Sequence, residues 1–240
     1  QSHTHFLDSP RLRESLAVSD FGFEELKAGK VSVFLILPAD RLDTFGRWLR
    51  LLIQQAITVN ARNIEARPEH PILFMLDEMA ALGRLTMVEQ AYGLMAGFGM
   101  QMWGIVQDLS QLERIYGKGW QTFIANAGVL QYFGSRDQMT AEYFSKLCGT
   151  TTVRTIGTSI ANAMGSLTSG GSTTNTTSYS SAARSLVLPD ELMTMRRDRQ
   201  ILLIENMDPI AAGKTVWHED EALSQLGYNL RQPARQETPP

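Results

Sequence analysis

One cysteine in 240 residues, Cys148, leaves no internal disulfide possible and fits a reducing compartment. Between Tyr143 and Gly149 it reads as a small core residue. No apolar run approaches the ~20 residues that a membrane-spanning helix needs, and no secretory leader is visible. Charge of one sign is also scarce. The 22 basic and 25 acidic residues leave a net charge of −3, so bulk charge provides no electrostatic footprint for nucleic acid. Local basic groups (Arg41, Arg47 and Arg50; Arg196, Arg197 and Arg199) read as solvated helix or turn faces. Histidine numbers only 4, and His3 and His5 read as part of a solvated terminus rather than metal ligands. The chain begins at Gln1 rather than Met, as expected of a piece of a longer polypeptide.

An apolar content of 43% is enough for a full core, and the length suits one α/β domain. The most informative stretch is Leu73-Phe74-Met75-Leu76 running into Asp77-Glu78. An unbroken apolar run is expected where a strand is buried on both faces of a parallel sheet. Ligands of such sheets bind beyond the carboxyl ends of the strands. An Asp there can hold the magnesium of a nucleotide, and the following Glu can activate the attacking water. This is the Walker B pattern. The ordinary alternative is a buried strand running into an acidic turn.

Strand and helix patterns alternate around this stretch. Residues 1–30 are a mixed, polar lead-in. Val31–Leu37 is β-rich and stopped by Pro38, which predicts a buried strand. Asp40 can cap a long amphipathic helix marked by Leu42, Phe45, Trp48, Leu49, Leu52, Ala56 and Val59. A helix carrying Val88, Tyr92 and Met95 closes at Gly97 and Gly99. A strand over Met100–Val106 ends at Gln107. Helical material spans Leu109 to about Ala125, and Val129–Phe133 is a further strand ending at Arg136-Asp137. Thr140 is expected to cap a helix through Leu147. This alternation predicts a mostly parallel sheet in a unit over 31–218. Residues Gly157–Ser181, rich in Ser, Thr, Gly and Asn, predict a mobile loop with room for frayed strand edges. A short helix at Pro189-Asp190-Glu191 and a strand over Gln200–Ile204 follow, and residues 219–240 read as a tail.

Three strand ends would thus gather along one sheet edge: Asp77-Glu78, Gln107 and Arg136-Asp137. An amide at Gln107 can sense a γ-phosphate or orient water, and Arg136 can neutralise transferred charge. The structural alternatives are a loop-capping amide and a local Arg136–Asp137 pair. The phosphate cradle that should accompany such a site is missing. Gly213-Lys214-Thr215 resembles the end of a P-loop. The first glycine of that motif would fall at Asp208, however, and Val216-Trp217-His218 reads as a strand end rather than a helix start. Gly29-Lys30 fails because Val31 replaces the required hydroxyl residue.

The ordered set of segments resembles the type IV secretion coupling proteins, the TraG/TraD-type ATPases of conjugation. The segments are Leu76-Asp77-Glu78-Met79, Ala96-Gly97-Phe98-Gly99, Val106 through Leu112 with Tyr116-Gly117, Asp137 with Thr140-Ala141-Glu142, and Arg184-Ser185-Leu186 before Pro189-Asp190-Glu191. The likeness covers about residues 10 to 218. It implies the C-terminal part of a RecA-like P-loop NTPase whose P-loop strand lies upstream of this chain. It also implies Mg-ATP as cofactor, with Asp77 for magnesium, Glu78 for water activation and Gln107 as γ-phosphate sensor. Some members carry a trans-acting arginine near Ala96-Gly97; this chain has none there, so that role is either absent or moved, with Arg136 and Arg184 as candidate substitutes. Implied partners are DNA, single- or double-stranded, the relaxosome proteins (relaxase and accessory protein), the type IV secretion channel, and further copies in a hexamer. The full-length protein would sit at the cytoplasmic face of the bacterial inner membrane, while this chain would be soluble and inactive alone. Two other readings stand beside this one: a non-catalytic module that recognises a relaxosome accessory or effector protein, and another DNA-translocating or permuted P-loop NTPase.

Overall fold

A computed structural model describes residues 4–163 and 172–227. The element order is α1 (Pro10–Ser15), α2 (Glu25–Ala28), α3 (Leu42–Arg62), β1 (Ile72–Leu76), α4 (Thr86–Leu94), β2 (Met100–Gly104), α5 (Leu109–Tyr116), α6 (Gln121–Ala125), β3 (Val129–Tyr132), α7 (Gln138–Leu147), β4 (Thr150–Ala163), β5 (Ser172–Ser185), α8 (Pro189–Met193), β6 (Arg199–Ile204), β7 (Ile210–Gly213) and α9 (Glu221–Leu226). The fold is α/β, and the strands form three small sheets: β1-β2, β3-β6-β7 and β4-β5. β1 and β2 form a parallel pair, with Ile72 opposite Met100 and Leu76 opposite Gly104. The pairs β4-β5 and β6-β7 are antiparallel, so the expected parallel sheet is represented by the small β1-β2 sheet.

The chain divides into two compact units. The first comprises residues 1–130 and 135–143, the second 131–134 and 144–240. In the first, α3 supplies a buried stripe of Leu49, Ile53, Ala56, Ile57 and Asn60, which shares Leu49 and Ala56 with the expected face. A short 3-10 turn, Ala39–Arg41, precedes this helix, and Asp40 lies within it rather than capping α3. Val88 and Ala91 of α4 and Met100 of β2 complete the adjoining core. Edge-to-face contacts of Phe123 with Tyr92 and Tyr116, at 5.0 and 4.6 Å between ring centroids, bind α4, α5 and α6 together. In the second unit Leu192, Ile201, Tyr132 and Phe144 are buried.

Three further expectations are corrected. Val31–Leu37 forms no strand, and Phe34 is 81% and Ile36 84% exposed. Its apolar run satisfies half of what a buried strand needs, but no ladder partner among the described residues takes up its backbone groups. β1 is buried on one face only: Ile72 and Leu76 point inward, while Leu73 and Met75 are exposed beside Trp103 of β2. Within Gly157–Ser181 the described residues are strand rather than loop, because β4 and β5 pair along their whole length as a ribbon; residues 164–171 lie outside the described residues. Its Thr and Ser residues suit an extended backbone as well as a loop. Beyond residue 219, Asp220 caps α9 by accepting from the Leu223 N–H at 2.9 Å. The rest of the expected tail, 228–240, lies outside the described residues, as does His3.

Candidate functional site

The parallel pair delivers its carboxyl ends side by side. The Ile105 N–H donates to the Leu76 carbonyl at 3.0 Å, and the Met79 N–H donates to the Ile105 carbonyl at 3.0 Å. These bonds carry the ladder past the strand ends and hold Asp77-Glu78 against the segment leading to Gln107. Glu78 adopts a left-handed backbone, φ 49°, which turns the chain sharply out of β1. Its N–H donates to Asp77 Oδ1 at 3.1 Å, closing that turn. Both carboxylates are exposed. A non-glycine residue in this conformation is uncommon and marks a sharp turn.

Gln107 completes the arrangement. Its Nε2 donates to both carboxylate oxygens of Glu78, at 3.2 and 3.1 Å. Its Oε1 accepts from Gln111 Nε2 at 3.1 Å. Gln111 lies in the first turn of α5, where Asp108 caps the helix by accepting from the Gln111 N–H at 2.8 Å. Sequence reasoning overlooked Gln111; the i, i+4 spacing from Gln107 at the mouth of a helix was the available signal.

Asp77, Glu78 and Gln107 are thus brought together at one edge, whereas Arg136 does not join them through a shared sheet. The preceding strand, β3, pairs with β6. Arg136 itself is exposed and makes no hydrogen bond or ion pair among the described residues. Its neighbour Asp137 does not pair with it either. Asp137 Oδ2 accepts from the N–H and hydroxyl of Thr140 at 2.8 and 2.6 Å, and Oδ1 accepts from the Ser110 hydroxyl at 2.9 Å. Asp137, not Thr140, therefore caps α7. Thr140 serves α5 instead, accepting the Leu109 N–H at 2.9 Å. Burial pushes the Asp137 carboxyl up, but the hydrogen bonds from Thr140 and Ser110 outweigh it and hold the group below its ordinary value.

Two second-unit residues are occupied elsewhere. Arg184 pairs with Glu191 at 3.0 Å, and Glu191 also accepts the Leu188 N–H ahead of α8. Lys214 donates to the Phe133 carbonyl at 2.6 Å and lies 5.0 Å from that ring's centroid. It follows directly on β7 and starts no helix, as the rejection of a P-loop there requires.

Magnesium prefers hard oxygen donors and is commonly held by one or two carboxylates together with water and phosphate oxygens. Asp77 fits that chemistry: it is exposed, and its Oδ2 accepts no hydrogen bond among the described residues. The described residues contain no group of three His, Cys, Asp or Glu side chains able to enclose a metal without such help.

The family model described as "Type IV secretory system Conjugative DNA transfer" matches residues 1–237. The chain belongs to this family of type IV coupling proteins. Protein VirD4 of Rhizobium radiobacter is 28% identical over 219 residues, covering 90% of this chain and 31% of the relative. The conjugal transfer protein TraG of Rhizobium radiobacter is 30% identical over 236 residues, covering 96% and 35%. The chain therefore spans about a third of the length of these curated relatives. Among solved structures, the plasmid coupling protein TrwB in complex with the GTP analogue GDPNP superposes with a TM-score of 0.63 at 16% identity, covering 88% of this chain and 51% of that one. TrwB in complex with ADP and Mg2+ gives 0.61 at 16% identity, covering 81% and 43%. At such identities the likeness establishes a shared fold.

Proposed function

We propose that this chain supplies the magnesium- and water-handling half of a Mg-ATP site in a RecA-like motor that drives conjugative DNA transfer through a type IV secretion channel. The observation that carries the reading is the pairing of Gln107 Nε2 with both oxygens of Glu78, beside Asp77, at the carboxyl edge of the parallel β1-β2 pair. Support comes from family membership and from the nucleotide and Mg2+ named with the TrwB structures. In this reading Asp77 holds magnesium, which when bound screens the charge of the phosphates. Glu78 accepts a proton from the attacking water through a carboxylate oxygen now engaged by Gln107. The Gln107 amide donates toward the γ-phosphate, so it distinguishes triphosphate from diphosphate. The phosphate cradle comes from a segment with which this chain combines, and assembly is hexameric around DNA delivered by relaxosome proteins, at the cytoplasmic face of the inner membrane. Arg136, exposed and unpaired among the described residues, is the better placed of the two arginines to act on a neighbouring subunit; Arg184 is held by Glu191.

Co-expression with a P-loop-bearing segment of the family tests the assignment. The pair is expected to hydrolyse ATP with stimulation by DNA. Glu78→Gln should remove most turnover while leaving nucleotide binding, because the amide keeps the shape and loses the base. A complex that binds nucleotide but shows equal turnover with Glu78→Gln would refute the role of Glu78. One that captures an accessory protein yet never hydrolyses ATP would favour the interaction-module reading.

A further inference from the structure

The hydrogen-bond chain at the site has a polarity that only one of its members dictates. A carboxylate can accept but not donate, so Glu78 obliges Gln107 to present Nε2 to it. Gln107 then has its carbonyl left for Gln111, and Gln111 must answer with its own Nε2, as the 3.1 Å contact shows. The consequence appears at the far end. Gln111 Oε1 is buried and has no hydrogen-bond partner among the described residues. A glutamine placed there for the fold alone would be expected to satisfy its buried oxygen, since buried polar atoms almost always find partners. Gln111 instead leaves its buried acceptor unpaired and gives its amide to Gln107.

We propose that Gln111 is the positioning residue of this site: it fixes the Gln107 amide with its NH2 toward Glu78, and it ties the first turn of α5 to the state of that carboxylate. The proposal rests on the reading of Glu78 and Gln107 as site residues. When the Glu78 carboxylate leaves Gln107 to engage water, the constraint on both amides is lifted together. Gln107 becomes free to turn its NH2 elsewhere, and Gln111, anchored in the helix whose cap is Asp108, loses the acceptor that held it. The charge placement of Glu78 is thereby transmitted into α5 without movement of β1 or β2.

Side-chain amide spectra of the isotopically labelled chain, assigned with Gln107→Ala and Gln111→Leu, test this. Glu78→Gln alters an exposed side chain and is expected to shift the NH2 signals of Gln111, two residues along the relay. In a Gln107→Ala background the same change at Glu78 should leave Gln111 where it is. Gln111→Leu should move the Gln107 NH2 signals to the position of free glutamines, with a thermal midpoint unchanged or raised because the unpaired buried oxygen is gone. Gln107 signals that stay put in Gln111→Leu, or a Gln111 response to Glu78 that persists without Gln107, would overturn the relay while leaving the nucleotide reading intact. An intact relay in a chain whose complemented form never uses Glu78 would instead overturn the nucleotide reading alone.

Discussion

Gly104 shows how one small residue holds the site edge in place. A methyl group built on it would meet the Tyr92 hydroxyl and stand 2.9 Å from Met79 Sδ, while Met79 directly follows Glu78 and is buried. The Tyr92 hydroxyl hydrogen-bonds the Gly104 backbone, and burial raises that phenol above its ordinary value. Gly104→Ala should therefore destabilise the chain by about 1–3 kcal/mol through overpacking. Gly97→Ala, where no atom lies within 4 Å of the new methyl, should be neutral or slightly stabilising. Urea denaturation of both variants checks the contrast. Asp137 gives a second residue-scale expectation. Asp137→Ala removes the α7 cap and the Ser110 link and should cost about 1–2 kcal/mol. The folded carboxyl lies below its ordinary value of 3.8, so its contribution is complete above the unfolded value. It is lost as pH falls from about 4 through the folded value. Thermal midpoints of wild type and Asp137→Ala should converge on acidification; a gap that stays constant would assign the loss to packing.

At the scale of elements, the β4-β5 ribbon and the β1-β2 pair differ in what supports them. β1-β2 has one buried face, formed by Ile72, Leu76 and Met100. The ribbon's described side chains are nearly all exposed, Ile156 and Tyr179 facing each other across the ladder in solvent. A two-stranded ribbon without a covering layer is marginal in water, and ordering each residue costs ~1–2 kcal/mol. Amides of Val153–Thr158 and Thr177–Ala182 should exchange much faster than those of Leu73–Leu76, and limited proteolysis should cut first within 157–181. Exchange as slow as that of β1 would show that the ribbon is covered in solution. The mobility expected from composition is thus compatible with paired strands, since hydrogen bonds exposed to water open locally.

At the scale of the whole molecule, the two halves of the candidate chemistry are unequally represented. Carboxylates and amides meet at the β1-β2 edge, but no glycine-rich turn leading from a strand into a helix accompanies them in the described residues. Purified chain with magnesium and ATP is expected to release no phosphate above background. Turnover abolished by Lys214→Ala would reverse the rejection of Gly213-Lys214-Thr215, despite the hold of Phe133 on that lysine.

The sequence by itself determined α3, α4, α5 and α7, the strand β1 that runs into Asp77-Glu78, and the proximity of Asp77, Glu78 and Gln107, whereas α1, α2 and α9 lie in stretches it left without structure. Each follows from local periodicity, or from a polar residue placed just past a short apolar run, and two consecutive parallel strands end at the same edge. It could not determine which strands pair, because pairing joins segments distant in the chain. The apolar run Val31–Leu37 carries the same local signal as β1 yet finds no ladder, and β3 joins β6 rather than β2. Only the tertiary structure decided that Asp137 clamps two helices rather than pairing with Arg136. Only it, too, decided that Gln111 stands behind Gln107, since hydrogen-bond partners are chosen by side-chain geometry that composition and spacing leave open.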